Sequence, residues 1–202
     1  MTRFFALVIA VAFALSLVTA AAARAQDKAA LGQPAPDFSL KDQAGKPVKL
    51  SDHKGKIVVL EWFNNECPYV VKHYTNGDMN KTAQRYAGQG VVWLAINTTN
   101  GKTVEDNAKI AKEWNIDRPI LMDTTGEVGR AYGAKTTPHM YVIDKDGKLA
   151  YMGAIDSNPS SDAGDIAGAT NYVAKALDEV MAGTVVSTPQ TKQYGCSVKY
   201  PS

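Results

Sequence analysis

Ile57-Val58-Val59-Leu60-Glu61-Trp62-Phe63-Asn64-Asn65-Glu66-Cys67-Pro68-Tyr69-Val70 is the stretch from which the rest of the chain is read. Residues 57–63 are apolar or β-branched apart from Glu61, the pattern of a strand buried on both faces. Cys67 then stands where strand gives way to helix. Proline is favoured at the first helical position, because its missing N–H would lack a partner there anyway, so Pro68 makes Cys67 the expected N-cap. A sulfur in that place faces unpaired backbone N–H groups and the positive end of the helix dipole, and both favour thiolate over thiol. The bland alternative is a buried, inert cysteine packing as a small hydrophobe.

Working outward, helical patterns follow at residues 67–74 and 78–87, a second buried strand at 91–97, and a helix at 104–115 with Ala108, Ala111 and Trp114 apolar. A short strand is expected at 119–122 and a short helix at 127–132. Segments 139–143 and 148–152 flank Asp144-Lys145-Asp146-Gly147, whose residues supply turn chemistry for a hairpin. A Ser, Asp and Gly-rich loop at 157–168 precedes a last helix at 169–182 that stops at Gly183. Upstream, the apolar segments 37–40 and 48–50, set among Pro, Gly and Asp, predict a small N-terminal hairpin. The alternation implies an α/β fold with a central mixed sheet and helices on both faces.

Composition narrows the function classes. At 45% hydrophobic and 21% charged the chain is globular rather than disordered. Lys and Arg number 22 against 20 acids, and Arg3 and Arg24 belong to the first 25 residues, so the remainder is neutral and gives no electrostatic reason to expect nucleic acid. Those 25 residues read as a signal peptide: Arg3, an apolar run, then Ala23-Arg24-Ala25 ahead of a cleavage after Ala25. An uncleaved anchor is the rival, since residues 4–23 carry no charge. The expected address is therefore periplasmic or secreted, with no membrane attachment after cleavage, and there two thiols can persist as a disulfide. Two distant cysteines and three scattered histidines do not match zinc spacing, and Asp156, Asn158 and Asp162 lack the glycine and terminal acid of a calcium loop. No metal and no organic cofactor is implied.

Cys67-Pro68 after an apolar strand, with Thr136-Thr137-Pro138 before Tyr141-Val142-Ile143-Asp144, resembles the thioredoxin fold. More narrowly, the chain resembles the redoxin or peroxiredoxin-like group of alkyl hydroperoxide reductase and thiol-specific antioxidant proteins. Cys-Pro-Tyr-Val and the terminal Gly195-Cys196-Ser197-Val198-Lys199-Tyr200 resemble one subgroup of it. The resemblance implies a redoxin domain over 31–184 and a tail, 185–202, that carries the second cysteine. It also implies a cis Thr137-Pro138 bond, with the Thr137 backbone open to pair with an incoming peptide or disulfide beside Cys67. Pro68, Tyr69, Thr137, Pro138 and Trp62 are the expected substrate-binding residues.

Two departures bear on activity. The position three residues after Cys67 is Val70, so no local dithiol forms, and Leu60, Asn64 and Pro138 stand where peroxiredoxins proper resemble a Pro, Thr and Arg pattern. The donors that stabilise charge on a peroxide are thus largely missing. The expected activity is thiol–disulfide exchange, with Cys67 catalytic and Cys196 resolving its product, within the chain or across a dimer. Residues 189–195 are polar and are read as mobile enough to deliver Cys196. Partners would be protein or small thiol and disulfide substrates and a thiol reductant. Glu61, at the place of the thioredoxin acid, either is buried and moves protons as a catalytic acid/base or points outward as a solvated acid. His73 is read as solvated, because it lies about 240° around a helix from Cys67. Two other functions stay open: a peroxiredoxin-type thiol peroxidase, and a non-catalytic binding module in which Cys67 and Cys196 form a permanent staple.

Overall fold

The computed structural model describes residues 28–202, so the expected signal peptide and its cleavage site lie outside the described residues. Strand β3 (Val58–Trp62) is the axis of the molecule, and each of its residues is at most 2% exposed. It pairs in parallel with β4 (Val92–Asn97) and antiparallel with β7 (His139–Ile143). Parallel neighbours require a crossover, which α1 (Pro68–Thr75) and α2 (Asp78–Ala87) supply. A second crossover, α3 (Val104–Glu113), leads from β4 to its parallel neighbour β5 (Ile120–Met122).

The N-terminal hairpin of β1 (Ser39–Lys41) and β2 (Pro47–Lys49) adds antiparallel to the β5 edge. After α4 (Glu127–Tyr132) and the two-residue β6 (Thr136–Thr137), β7 turns into β8 (Leu149–Gly153). The turn closes through a bond from Gly147 N–H to the Asp144 carbonyl, and the Asp144 carboxylate accepts the backbone N–H groups of Asp146 and Lys148. The sheet order is β2-β1-β5-β4-β3-β7-β8. The last helix, α5 (Tyr172–Met181), begins three residues later than its apolar pattern suggests, because Asn171 caps it by accepting the Ala174 N–H at 2.9 Å.

Period-two alternation divides the sheet into two apolar layers. Val59 and Phe63 join Cys67, Val70, Tyr74, Trp93 and Leu177 on one side, under α1, α2 and α5. Val58, Leu60 and Trp62 join Phe38, Leu121, Tyr132 and Tyr141 on the other, under α4. Each such aliphatic or aromatic side chain contributes about 1.5–3 kcal/mol on burial. The carboxyl ends of β3 and β4 and the start of α1 are thereby held together at one edge, beside Cys67. Among the described residues no helix is long and apolar enough to cross a membrane.

Candidate active site

Cys67 is the N-cap of α1, with extended backbone (φ −85°, ψ 119°), and Pro68 opens the helix. Thr137-Pro138 is cis, as the resemblance implies. The Cys67 thiol donates to the Thr137 carbonyl at 2.8 Å. Opposite Thr137, across a short antiparallel ladder, lies Cys196: strand β9 (Cys196–Ser197) pairs with β6 so that Thr136 faces Ser197 and Thr137 faces Cys196. Both cysteines are free thiols. The expected open edge at Thr137 is therefore filled by the chain's own tail, and the contact between the cysteines is made within one chain.

Electrostatics separate the two sulfurs. Burial pushes the Cys67 thiol up, but hydrogen bonds from the Cys196 and Thr137 side chains and from the Cys196 and Val70 backbone outweigh it, and the net shift is down. Cys196 goes the other way, to about 11, driven by its own burial and by the neighbouring Cys67. Cys67 is therefore the more acidic of the two sulfurs and the better leaving group, while Cys196 stays protonated at neutral pH.

The tail is docked, not loose. Gln190 bridges to Met152, the Thr191 hydroxyl accepts the Ala154 N–H, and Tyr194 donates to the Asp156 carboxylate. Past Cys196, Val198 N–H bonds the Lys135 carbonyl, Asn100 N–H bonds the Lys199 carbonyl, and the Tyr200 hydroxyl bonds the Ala134 carbonyl at 2.7 Å. Gly195 is required where the strap passes closest. Its φ is +125°, and a Cβ there would overlap the Thr137 carbonyl. The result is that Cys67 is only 1% exposed, while Cys196 above it keeps partial access.

Glu61 is buried, the first of its two expected settings, but its oxygens are occupied. Tyr74 and Trp93 donate to them at 2.8 Å each, and the Arg118 guanidinium stands 3.6 Å away while also donating to the Tyr74 hydroxyl. A carboxylate held by an ion pair and two donors fits a structural counter-charge as well as the proton-transfer role expected of Glu61. For Trp62 the structure corrects the expectation of substrate binding. Alternation along β3 sends it to the face away from Cys67, where it is fully buried and its indole donates to the Thr98 hydroxyl at 3.1 Å. Tyr69 does sit at the site, its ring 5.8 Å from that of Tyr194.

His73 is fully buried rather than solvated, between Asp78 and Asp156. His139 is buried against Tyr141 and Lys135, and burial and Lys135 hold its pKa down to about 3, so it is a neutral acceptor. Tyr194 and Arg118 were not singled out by sequence, and Asp156 was weighed only as a member of a rejected calcium loop. The pairing of Tyr194 with Gly195, next to Cys196, was the available signal, since a glycine beside a cysteine marks close backbone approach. Among the described residues no cluster of three or more His, Cys, Asp or Glu side chains could hold a metal ion.

A family model described as the AhpC/TSA family matches residues 31–152, which ends before the tail. The thiol-disulfide oxidoreductase ResA of Bacillus thuringiensis subsp. konkukian is 31% identical over 124 residues, covering 61% of this chain and 69% of the relative. Among solved structures, a hypothetical protein of Sinorhizobium meliloti superimposes with a TM-score of 0.74 at 28% identity, over 87% of this chain and 97% of the other. A putative thiol:disulfide interchange protein DsbE of Chlorobium tepidum gives 0.55 at 29% identity, over 62% and 85%. The fold is thioredoxin-like, a mixed central sheet flanked by helices.

Proposed function

The chain belongs to the AhpC/TSA family and is a thiol-based oxidoreductase, and from that premise we propose that it catalyses thiol–disulfide exchange with Cys67 and Cys196 as its redox couple. The observation that carries the proposal is the placing of Cys196 opposite Thr137, the residue whose carbonyl holds the Cys67 thiol. The names of the relatives, thiol-disulfide oxidoreductase ResA and the interchange protein DsbE, support the same reaction class.

In the cycle, the Cys67 thiolate attacks one sulfur of a disulfide RSSR′. The S–S bond breaks, R′S⁻ leaves and takes a proton, and a Cys67–SR mixed disulfide forms. Cys196 gives up its proton and attacks the Cys67 sulfur, and RS⁻ leaves. The sum is one RSSR′ reduced to two thiols and one Cys67–Cys196 disulfide formed; a thiol reductant returns the pair to its starting state. Pro68, Tyr69, Thr137 and Pro138 frame the approach to the sulfur. The signal-peptide pattern at residues 1–25 supports export to a compartment where a disulfide persists. Residues 31–184 form the redoxin domain, and 185–202 the tail that delivers the second sulfur.

Equilibration with reduced and oxidised glutathione, followed by mass mapping, tests the assignment. An intrachain Cys67–Cys196 disulfide with a potential above about −300 mV is expected, and a lower value marks a permanent staple instead. Rapid consumption of hydrogen peroxide matched by thiol oxidation would move the assignment to a peroxidase.

A further inference from the structure

A set of buried polar side chains beneath the tail plays no part in the exchange cycle. His73 Nδ1 lies 2.8 Å from Asp78 Oδ2, and its Nε2 faces Asp156 Oδ2 at 3.7 Å. The second Asp156 oxygen accepts the Tyr194 hydroxyl and, at 2.9 Å, the Asn158 N–H. Lys72, itself buried, places its ammonium 5.4 Å from the centre of the Tyr194 ring and donates to the Asn158 carbonyl at 3.3 Å. Burying an imidazole, carboxylates and an ammonium costs free energy that a helix on this scaffold does not need to spend. What the cluster grips is the tail, two residues before Cys196. Tyr69, Lys72 and His73 all belong to α1, the helix that Cys67 caps, so Tyr194 ties the second sulfur to the element that carries the first.

We propose that Tyr194 is the positioning residue for Cys196: its contact with Asp156, backed by His73, clamps β9 onto β6 so that the two sulfurs meet, and an outside sulfur reaches Cys67 when that clamp opens. The inference rests on the exchange reading above. It explains how a nucleophile with 1% exposure can act, because the strap that delivers Cys196 is also the cover that must lift. It also predicts a trade between two properties. A tight clamp raises the effective concentration of Cys196 at Cys67 and favours the intrachain disulfide, while slowing attack by anything from outside.

The test uses the chain from residue 26 onward, as wild type, Tyr194→Phe, Asp156→Ala and Asp156→Asn. Two readouts are taken: the equilibrium constant for the Cys67–Cys196 disulfide against glutathione, in which GSSG and the dithiol give the disulfide and two GSH, and the iodoacetamide alkylation rate of Cys67 in the reduced protein. Tyr194→Phe keeps the ring against Tyr69 but loses the bond to a charged acceptor, so the equilibrium constant should fall, and the alkylation rate rise, by about tenfold. Asp156→Ala, which leaves the ring stack in place, should move both readouts the same way. Asp156→Asn keeps an oxygen for Tyr194 and should stay within about threefold of wild type. A merely structural role would lower the melting temperature and leave the equilibrium constant alone. Wild type that forms the disulfide, with Tyr194→Phe matching it in both readouts, overturns the positioning role only. Folded wild type that never forms the disulfide overturns the exchange reading, and the positioning role with it.

Discussion

Thr137 and Cys196 face one another across the ladder of β6 and β9, and the Thr137 carbonyl is the atom to which the Cys67 thiol donates. One residue thus touches both sulfurs' settings. On its strand side it fixes the register of the tail; on its carbonyl side it fixes the thiol of the helix N-cap. The arrangement sets the tail against the N-cap sulfur, and the consequences can be measured.

The first concerns acidity. The Cys196 thiol heads the groups that draw the Cys67 pKa down, against the upward push of burial. Replacing Cys196 by Ala removes that donor and leaves the backbone N–H groups in place. The Cys67 titration, followed by thiolate absorbance near 240 nm, should move upward in Cys196→Ala relative to reduced wild type. A midpoint that stays put or falls would show that the helix N-terminus alone sets the acidity.

Glu61 gives a stability prediction opposite to what a catalytic acid would give. It is fully buried, with Arg118 as its counter-charge. Arg118→Met strands a buried carboxylate and should cost about 3–5 kcal/mol in urea unfolding at pH 7. Glu61→Gln, by contrast, should leave the pH profile of exchange unchanged in shape. A shifted profile in that variant would assign Glu61 the proton-transfer role instead.

What the sequence showed and what it hid follow from the range of the interactions involved. Residues 57–70 could be read because strand alternation, the Pro68 start and the Cys67 cap are all local. Trp62 could be placed in the core but not on a face, since which side of the sheet receives α1 depends on the crossover and not on β3. His73 was misread because a helical angle tells which residues share a stripe, not how many stripes are covered. Here the 156–158 segment and the tail cover a second side of α1, and Lys72, His73 and Tyr74 are all buried. The resemblance named Cys196 as the partner of Cys67, but the docking of the tail was opaque: Gly195, Cys196 and their polar neighbours have no periodicity, and their pairing with β6 joins residues about 60 apart in the chain.

His139 supplies the pH dependence of stability. Its folded-state pKa lies near 3, below the ordinary 6.5, because burial and Lys135 disfavour its charged form. The neutral form is the one the fold accepts, so its contribution is intact above about pH 6.5 and is lost as the pH falls, while the unfolded chain takes up the proton. The loss should reach about 2 kcal/mol at pH 5. His139→Asn keeps an acceptor for the Tyr141 hydroxyl and cannot titrate, so its urea midpoint should change less between pH 7 and pH 5 than that of wild type. Parallel acid limbs in the two proteins would assign the dependence elsewhere.

Gly195 tests whether the tail governs access to Cys67. At φ +125° an alanine is strained, and its Cβ would overlap the Thr137 carbonyl, so β9 cannot keep its pairing with β6. Gly195→Ala should cost about 1–3 kcal/mol. Because Tyr200 still holds the far end of the strap at Ala134, the loss should be local rather than global. Cys67 should then alkylate at least about tenfold faster in the reduced protein, and the intrachain disulfide should form less completely in glutathione, since both depend on the closed strap. Circular dichroism and the urea midpoint separate this from general unfolding. A folded Gly195→Ala protein whose Cys67 reacts no faster than wild type would mean that something other than β9 shields the sulfur.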